Sequence, residues 1–166
     1  MRKYYSILII ITAIFIDFFA YGQTKKGLNE LNMSANFIGS SGSGNSGSVF
    51  QLGIAYGNYT TQKLEFGINF SLLIFDNSKS GNGGLFFEYH FPRCDSSTIV
   101  PFFGGQIGSM FGDNSVNMLG FGFFNGVKFF LSKNSAMSIQ PFYMYYKKRS
   151  STRSQYGILS GISIFF

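Results

Sequence analysis

The chain has 166 residues, 45% of them hydrophobic and only 12% charged, with a formal net charge of +6. That length suits one domain, and the charged share is about half that of a soluble domain. The charge is mild and scattered, with no Lys/Arg stripe interleaved with stacking aromatics, so a nucleic-acid partner is not expected.

The amino terminus reads as a processing segment. Arg2 and Lys3 precede an apolar run, Ser6 to Ile16, and Ala20 and Gly22 are spaced as a cleavage site needs. Residues 1–22 are therefore expected to be a signal peptide cut before Gln23, leaving residues 23–166 as one domain. The run is short for a membrane-spanning helix of about 20 residues, and Asp17 follows it directly. An uncleaved anchor is the competing reading. No cysteine follows the run, so a lipoprotein signal is not expected. Loss of Arg2, Lys3 and Asp17 takes the net charge from +6 to +5. The mature protein is expected to be exported.

From there to the end the pattern has a period of two, the signature of strands whose two faces meet different surroundings. Leu31, Met33, Ala35 and Phe37 alternate with Asn32, Ser34 and Asn36 in a first strand. Phe50 to Tyr56 and Leu64 to Leu72 give the second and third, Leu85 to Phe91 the fourth. A glycine-rich fifth spans about 99–111, with faces that the pattern does not assign. The sixth covers about 117–131, with Phe121, Phe123, Val127 and Phe129 on its apolar side. The seventh covers about 137–146 and the eighth 155–166, where Tyr156, Ile158, Ile162, Ile164 and Phe166 oppose Gly157, Gly161 and Ser163.

The predicted connections alternate in kind. Residues 39–48, 76–83, 112–116 and 147–153 read as flexible or polar loops, whereas 57–61 and 132–136 read as short turns. Residues 92–98 are the exception at seven residues. Long loops outside and short turns inside are what an up-and-down barrel in an outer membrane shows, and an even strand number puts both termini on the periplasmic side. A soluble lipocalin-like barrel also alternates, but its water-facing surface would carry many Lys and Glu. Here the non-apolar face is mostly Gly, Ser, Asn and Gln, while the apolar face, rich in Phe, Leu and Ile, is matched to lipid. The expected fold is an all-β, eight-stranded antiparallel transmembrane barrel.

These features resemble the small outer-membrane β-barrel domain family, the OmpX/OmpA type that also carries the label "porin family". The resemblance covers about residues 28–166. It rests on the export signal, the eight alternating segments, Gly126-Val127-Lys128-Phe129-Phe130-Leu131-Ser132 leading into a short turn, and the terminal Phe166. It implies residence in a Gram-negative outer membrane, among its lipid and lipopolysaccharide. It also implies that Ile162, Ile164 and Phe166 form the signal read by the barrel-assembly machinery. A monomer is expected, and no tethering domain after Phe166. Pro141 departs from the pattern: it sits inside strand seven, where it removes a ladder hydrogen bond, so a bulge or break is expected.

The candidate chemistry is sparse. Glu65, Glu88 and Lys128 take the polar face, each three or four residues above the short-turn rim, so they should form one ionic layer in the lumen. The layer can be read as an ion or proton path, as paired-carboxylate catalysis, or as a satisfied structural plug; the plug is preferred because eight strands leave room only for side chains. His90 is the only histidine, so no multi-histidine metal site is expected, and it falls near the periplasmic rim, away from where a lipid A deacylase or acyltransferase would need it. Cys94 is one thiol in a polar turn, read as a bystander. Gly120-x-Gly122 and the run 39–47 lack the helix and lysine of a phosphate cradle. Lys147, Lys148, Arg149 and Arg153 are a dense basic cluster in the loop between strands seven and eight. It can contact an anionic glycolipid, or be merely solvated. No cofactor is expected. The functional reading is a non-enzymatic surface barrel for envelope integrity, adhesion or interaction; a narrow passive pore and a lipid A-modifying enzyme are the alternatives.

Overall fold

A computed structural model describes residues 25–42, 45–74, 79–91, 98–112, 115–148 and 151–166. The segment expected to be a signal peptide, Cys94 and Arg149 lie outside them. The described residues form eight strands: β1 (Asn29–Gly42), β2 (Asn45–Tyr59), β3 (Leu64–Ile74), β4 (Lys79–His90), β5 (Ile99–Gly112), β6 (Ser115–Phe130), β7 (Ser135–Lys148) and β8 (Ser151–Phe165). Each pairs antiparallel with the next, and β8 closes onto β1 from Glu30↔Phe165 to Gly42↔Arg153.

Alternation sorts the side chains cleanly. Outward positions carry exposed Leu, Ile, Phe and Met, such as Ile68 at 58%, Phe123 at 66% and Leu119 at 74%. In water such a contiguous surface would be untenable for a monomer. In hydrocarbon it is the expected exterior of a closed barrel, in which every strand finds its backbone partners. Outward tyrosines keep to the belt's margins: Tyr56 and Tyr89 toward the rim bearing the termini, Tyr143, Tyr145 and Tyr156 toward the other. Their amphipathic rings suit the two membrane–water interfaces.

The interior is packed by pairing large with small. Phe86 lies over Gly67, Phe124 over Gly104 and Phe102 over Gly126, each glycine being its cross-strand partner. A Cβ at any of the three would collide with the ring. This explains why strand five resisted face assignment: its inward face mixes Val100, Phe102 and Met110 with Gly104 and Gln106, while Ile99, Phe103, Ile107 and Phe111 face out.

Three expectations are corrected. The segments read as long loops are largely strand: β1 runs to Gly42 and β2 resumes at Asn45, β6 starts at Ser115, and β7 and β8 are separated only by residues 149–150. Polar Ser/Gly sequence looked like loop because the pattern loses its apolar half where strands leave the belt. The ladder itself continues, since backbone pairing needs no apolar side chain. Second, β2 runs to Tyr59, so the turn expected at 57–61 is confined to 60–63. Third, of the bulge or break expected at Pro141, the bulge is absent and the break is confined to the seam with β6. The β6–β7 register is the same on either side of it, at Phe124↔Phe142 and Val127↔Ile139, and pairing lapses only in between. Pairing of Pro141 with Ile158 of β8 is kept. The proline's missing N–H thus costs one seam locally, without shifting the strand. The irregularity in register falls instead on β5–β6, between Met110 and Gly112.

Placing a charge at Ile68, outward and mid-belt, tests the assignment of faces. Ile68→Lys should lower folding free energy in lipid vesicles by about 2–4 kcal/mol in a denaturant titration. Asn69→Ser, one residue on and inward, gives up its hydrogen bond to Gln106 and should cost only about 1 kcal/mol.

Candidate functional site

Strand parity brings one charged layer together near the rim that holds the termini. Glu65 of β3 stands directly opposite Glu88 of β4, and Lys128 projects from β6 across the lumen. The layer was expected to contain these three residues, and it does. It also contains Glu30, Tyr59, His90 and Ser163. Lys128 Nζ lies 2.6 Å from Glu30 Oε2, 3.1 Å from Glu88 Oε2 and 3.4 Å from Glu65 Oε2. His90 Nε2 lies 3.1 Å from Glu65 Oε2 and 3.3 Å from Glu88 Oε2. Ser163 Oγ donates to Glu30 Oε1 at 2.6 Å, and the Tyr59 hydroxyl donates to Glu30 Oε2 at 2.9 Å.

All four ionic side chains and His90 are buried, which is costly unless each charge is matched and hydrogen-bonded. The geometry meets that condition in part: each carboxylate has a cation within 3.4 Å, but the three share one lysine and one histidine, and Glu88 Oε2 accepts no hydrogen bond among the described residues. Gly57 of β2 makes the room, because a Cβ there would fall on the Glu65 carboxyl group. Lys128 Nζ also sits 5.2 Å from the Phe102 ring centroid, where the ring's π face adds to its stabilisation.

Glu30 is in the layer because β1 pairs with both β2 and β8, which sets its carboxyl beside Tyr59 and Ser163. Its level above the rim could have been counted from the sequence; its reach across the lumen to Lys128 could not. His90 was correctly placed near this rim, but its role as a partner of two carboxylates was missed.

Glu65, Glu88 and His90 offer ligand atoms within 4.8 Å of one another, a spacing that a metal ion could use. The Lys128 ammonium, however, already lies against the same two Oε2 atoms. A divalent ion between them would meet that positive charge at close range, so the donor set does not suit one while Lys128 is present.

Apolar layers close the lumen above and below. Toward the terminal rim, Tyr59, Val100, Phe130, Ala136 and Phe165 form a buried cluster, with Phe130 and Phe165 stacked at 5.2 Å. Toward the far rim, Val49, Leu73, Met110, Met118, Met144 and Tyr146 form another. Between them lies a cavity of about 80 Å³, lined by Asn32, Gln51, Asn69, Ser71, Gln106 and Gln140 among others. Its side chains largely bond one another, as in Gln51 Nε2 to Ser71 Oγ at 2.9 Å and Asn69 Nδ2 to Gln106 Oε1 at 2.7 Å.

The basic cluster is only partly assembled. Lys147 points outward and is exposed, whereas Arg153 shares the inward parity of Gln155 and lies 3.6 Å from Met110 Sδ. Lys148 is half-buried, on the same parity as the inward Tyr146. Ile162, Ile164 and Phe166 all face outward and are exposed.

Lys128→Met should expose the layer's dependence on its cation. Three carboxylates would share His90 alone, and stability should fall by about 3–5 kcal/mol. The readout is a lower temperature for the heat-induced gel-mobility shift; an unchanged temperature would remove the structural role.

No protein-family model and no curated protein matches the sequence. Solved structures do resemble it. Neisserial surface protein A (NspA) is 18% identical, with a TM-score of 0.67, over 85% of this chain and 98% of that one. OprG of Pseudomonas aeruginosa is 12% identical, with a TM-score of 0.62, over 87% and 98%. The N-terminal β-barrel domain of Pseudomonas aeruginosa OprF is 14% identical, with a TM-score of 0.61, over 85% and 98%. At such identities the likeness is one of fold, and the fold is that of the small eight-stranded outer-membrane β-barrels.

Proposed function

We propose that this chain is a non-enzymatic outer-membrane barrel protein, with periplasmic termini, that contributes a rigid wall and a decorated outer rim to the envelope. The observation that carries the reading is the lumen. Two apolar layers and one charged layer occupy it, and the cavity between the apolar layers is about 80 Å³. A lumen so filled by the described side chains leaves little room for solute, which weighs against the narrow pore. Catalysis has little support either. His90 is 2% exposed, its Nε2 faces two carboxylates, and its Nδ1 has no hydrogen-bond partner among the described residues. A hydrolytic histidine would need a nucleophile and access to lipid.

The far rim is the better interaction surface. There β2 extends five residues beyond Phe50, its last partner position with the described residues of β3, and β1 stays paired with β8 up to Gly42↔Arg153. The hairpins β1–β2 and β7–β8 thus join into one four-stranded extension. Lys147, Lys148 and Arg153 belong to it; phosphate groups of an anionic glycolipid are the ligand we assign to them together with Arg149, which lies outside the described residues. The outward Ile162, Ile164 and Phe166 are assigned to recognition by the barrel-assembly machinery.

Planar-bilayer recording tests the central claim. The purified, refolded protein should add no stepwise conductance; regular ohmic steps would restore the pore. Recovery in the outer-membrane fraction with a heat-dependent gel shift should accompany that silence. Neutralising the four basic residues should reduce binding to anionic glycolipid vesicles, and unchanged binding would dismiss that contact.

A further inference from the structure

The three acidic residues among those described, Glu30, Glu65 and Glu88, are all inside the lumen, so the exposed charges of the described surface are lysines. Lys25 and Lys26, just before β1, and Lys63, between β2 and β3, stand exposed on one side of the terminal rim. The segment is held there: Gly27 N donates to Tyr59 O at 2.7 Å, and Tyr59 N to Leu28 O at 2.9 Å. Just inside the rim on the same strands, the outward Tyr56 hydroxyl and Asn58 Nδ2 converge on Asn29 Oδ1, at 2.9 and 2.8 Å.

The lipid-facing belt is dented above this patch. Ala35 of β1 and Ser160 of β8 are cross-strand partners that both face outward, between the bulky pair Met33↔Ile162 below and the large Phe37 and Ile158 above. Leu52 and Ile54 of β2 and Phe70 of β3 wall the groove that results. Ala35 lies six residues into β1 from Asn29, which places it about 15 Å from the rim for a strand tilted in the usual way. That is close to the depth of one leaflet's acyl chains.

We infer that the lysines Lys25, Lys26 and Lys63 with the Ala35–Ser160 groove form a site for one anionic glycerophospholipid of the leaflet on the terminal side. The ammonium groups take the headgroup phosphate and its negative charge, the Tyr56–Asn58 patch lies at the level of the glycerol and ester oxygens, and an acyl chain lies in the groove. The groove faces hydrocarbon, so an acyl chain is its natural occupant, and the lysines at the rim below it select the headgroup. The inference rests on the membrane-barrel reading.

Native mass spectrometry of the detergent-solubilised barrel, with phosphatidylglycerol or phosphatidylcholine added, tests it. Phosphatidylglycerol should bind about a hundredfold tighter, since each of the three lysines near a lipid headgroup contributes on the order of fivefold. The combined Lys25→Gln, Lys26→Gln and Lys63→Gln variant should lose that preference. Lys133→Gln, in the turn between β6 and β7, should keep it. Ala35→Phe with Ser160→Phe, which fills the groove from outside, should weaken both lipids alike. Equal affinity for the two lipids, or a preference that survives the triple variant, overturns the site. The gel-mobility shift is read on the same samples: an intact shift with no preference overturns the lipid site alone, and loss of the shift in the unsubstituted protein overturns the barrel reading with it.

Discussion

A backbone amide left unpaired in hydrocarbon costs several kcal/mol, because no water is there to bond it. This constraint organises the molecule. It requires β8 to return to β1, and that return fixes the outward or inward parity of every residue in the wall. It also explains how Pro141 is tolerated. Only the seam to β6 lapses, over a short stretch, while the opposite edge of β7 stays paired throughout.

Closure at eight strands has a second consequence. The lumen is too narrow to stay open and too wide for large side chains on every strand, so bulk must alternate with absence. Phe86, Phe102 and Phe124 fill it only because Gly67, Gly126 and Gly104 lie opposite. The same economy holds for the charged layer, where Gly57 yields space to the Glu65 carboxyl group. Glycine here acts through volume. Its frequency in the sequence, 21 residues, reflects an interior of tightly meshed rings as much as turns.

The distribution of charge follows from the same geometry. Acids in the described wall are gathered around Lys128, and exposed lysines are left to the rims, where headgroups and water can meet them. The described wall thus presents hydrocarbon to hydrocarbon and keeps its acids inside. Apolar layers lie on either side of its ionic interior, as the proposed structural role requires.

The sequence by itself determined the fold class, the number of strands, which face meets lipid in six of them, and the layer of Glu65, Glu88 and Lys128, because a period of two is a local property of the chain. It also located Pro141 as a defect. Only the tertiary structure decided where the strands end, since polar hairpins beyond the belt carry no apolar alternation to mark them. It alone decided the faces of β5, whose inward glycines are legible only beside the rings they accommodate. And it alone brought Glu30 and His90 to Lys128. Those contacts cross the lumen between strands far apart in sequence, and the distance across a closed barrel is set by its closure, which no local pattern encodes.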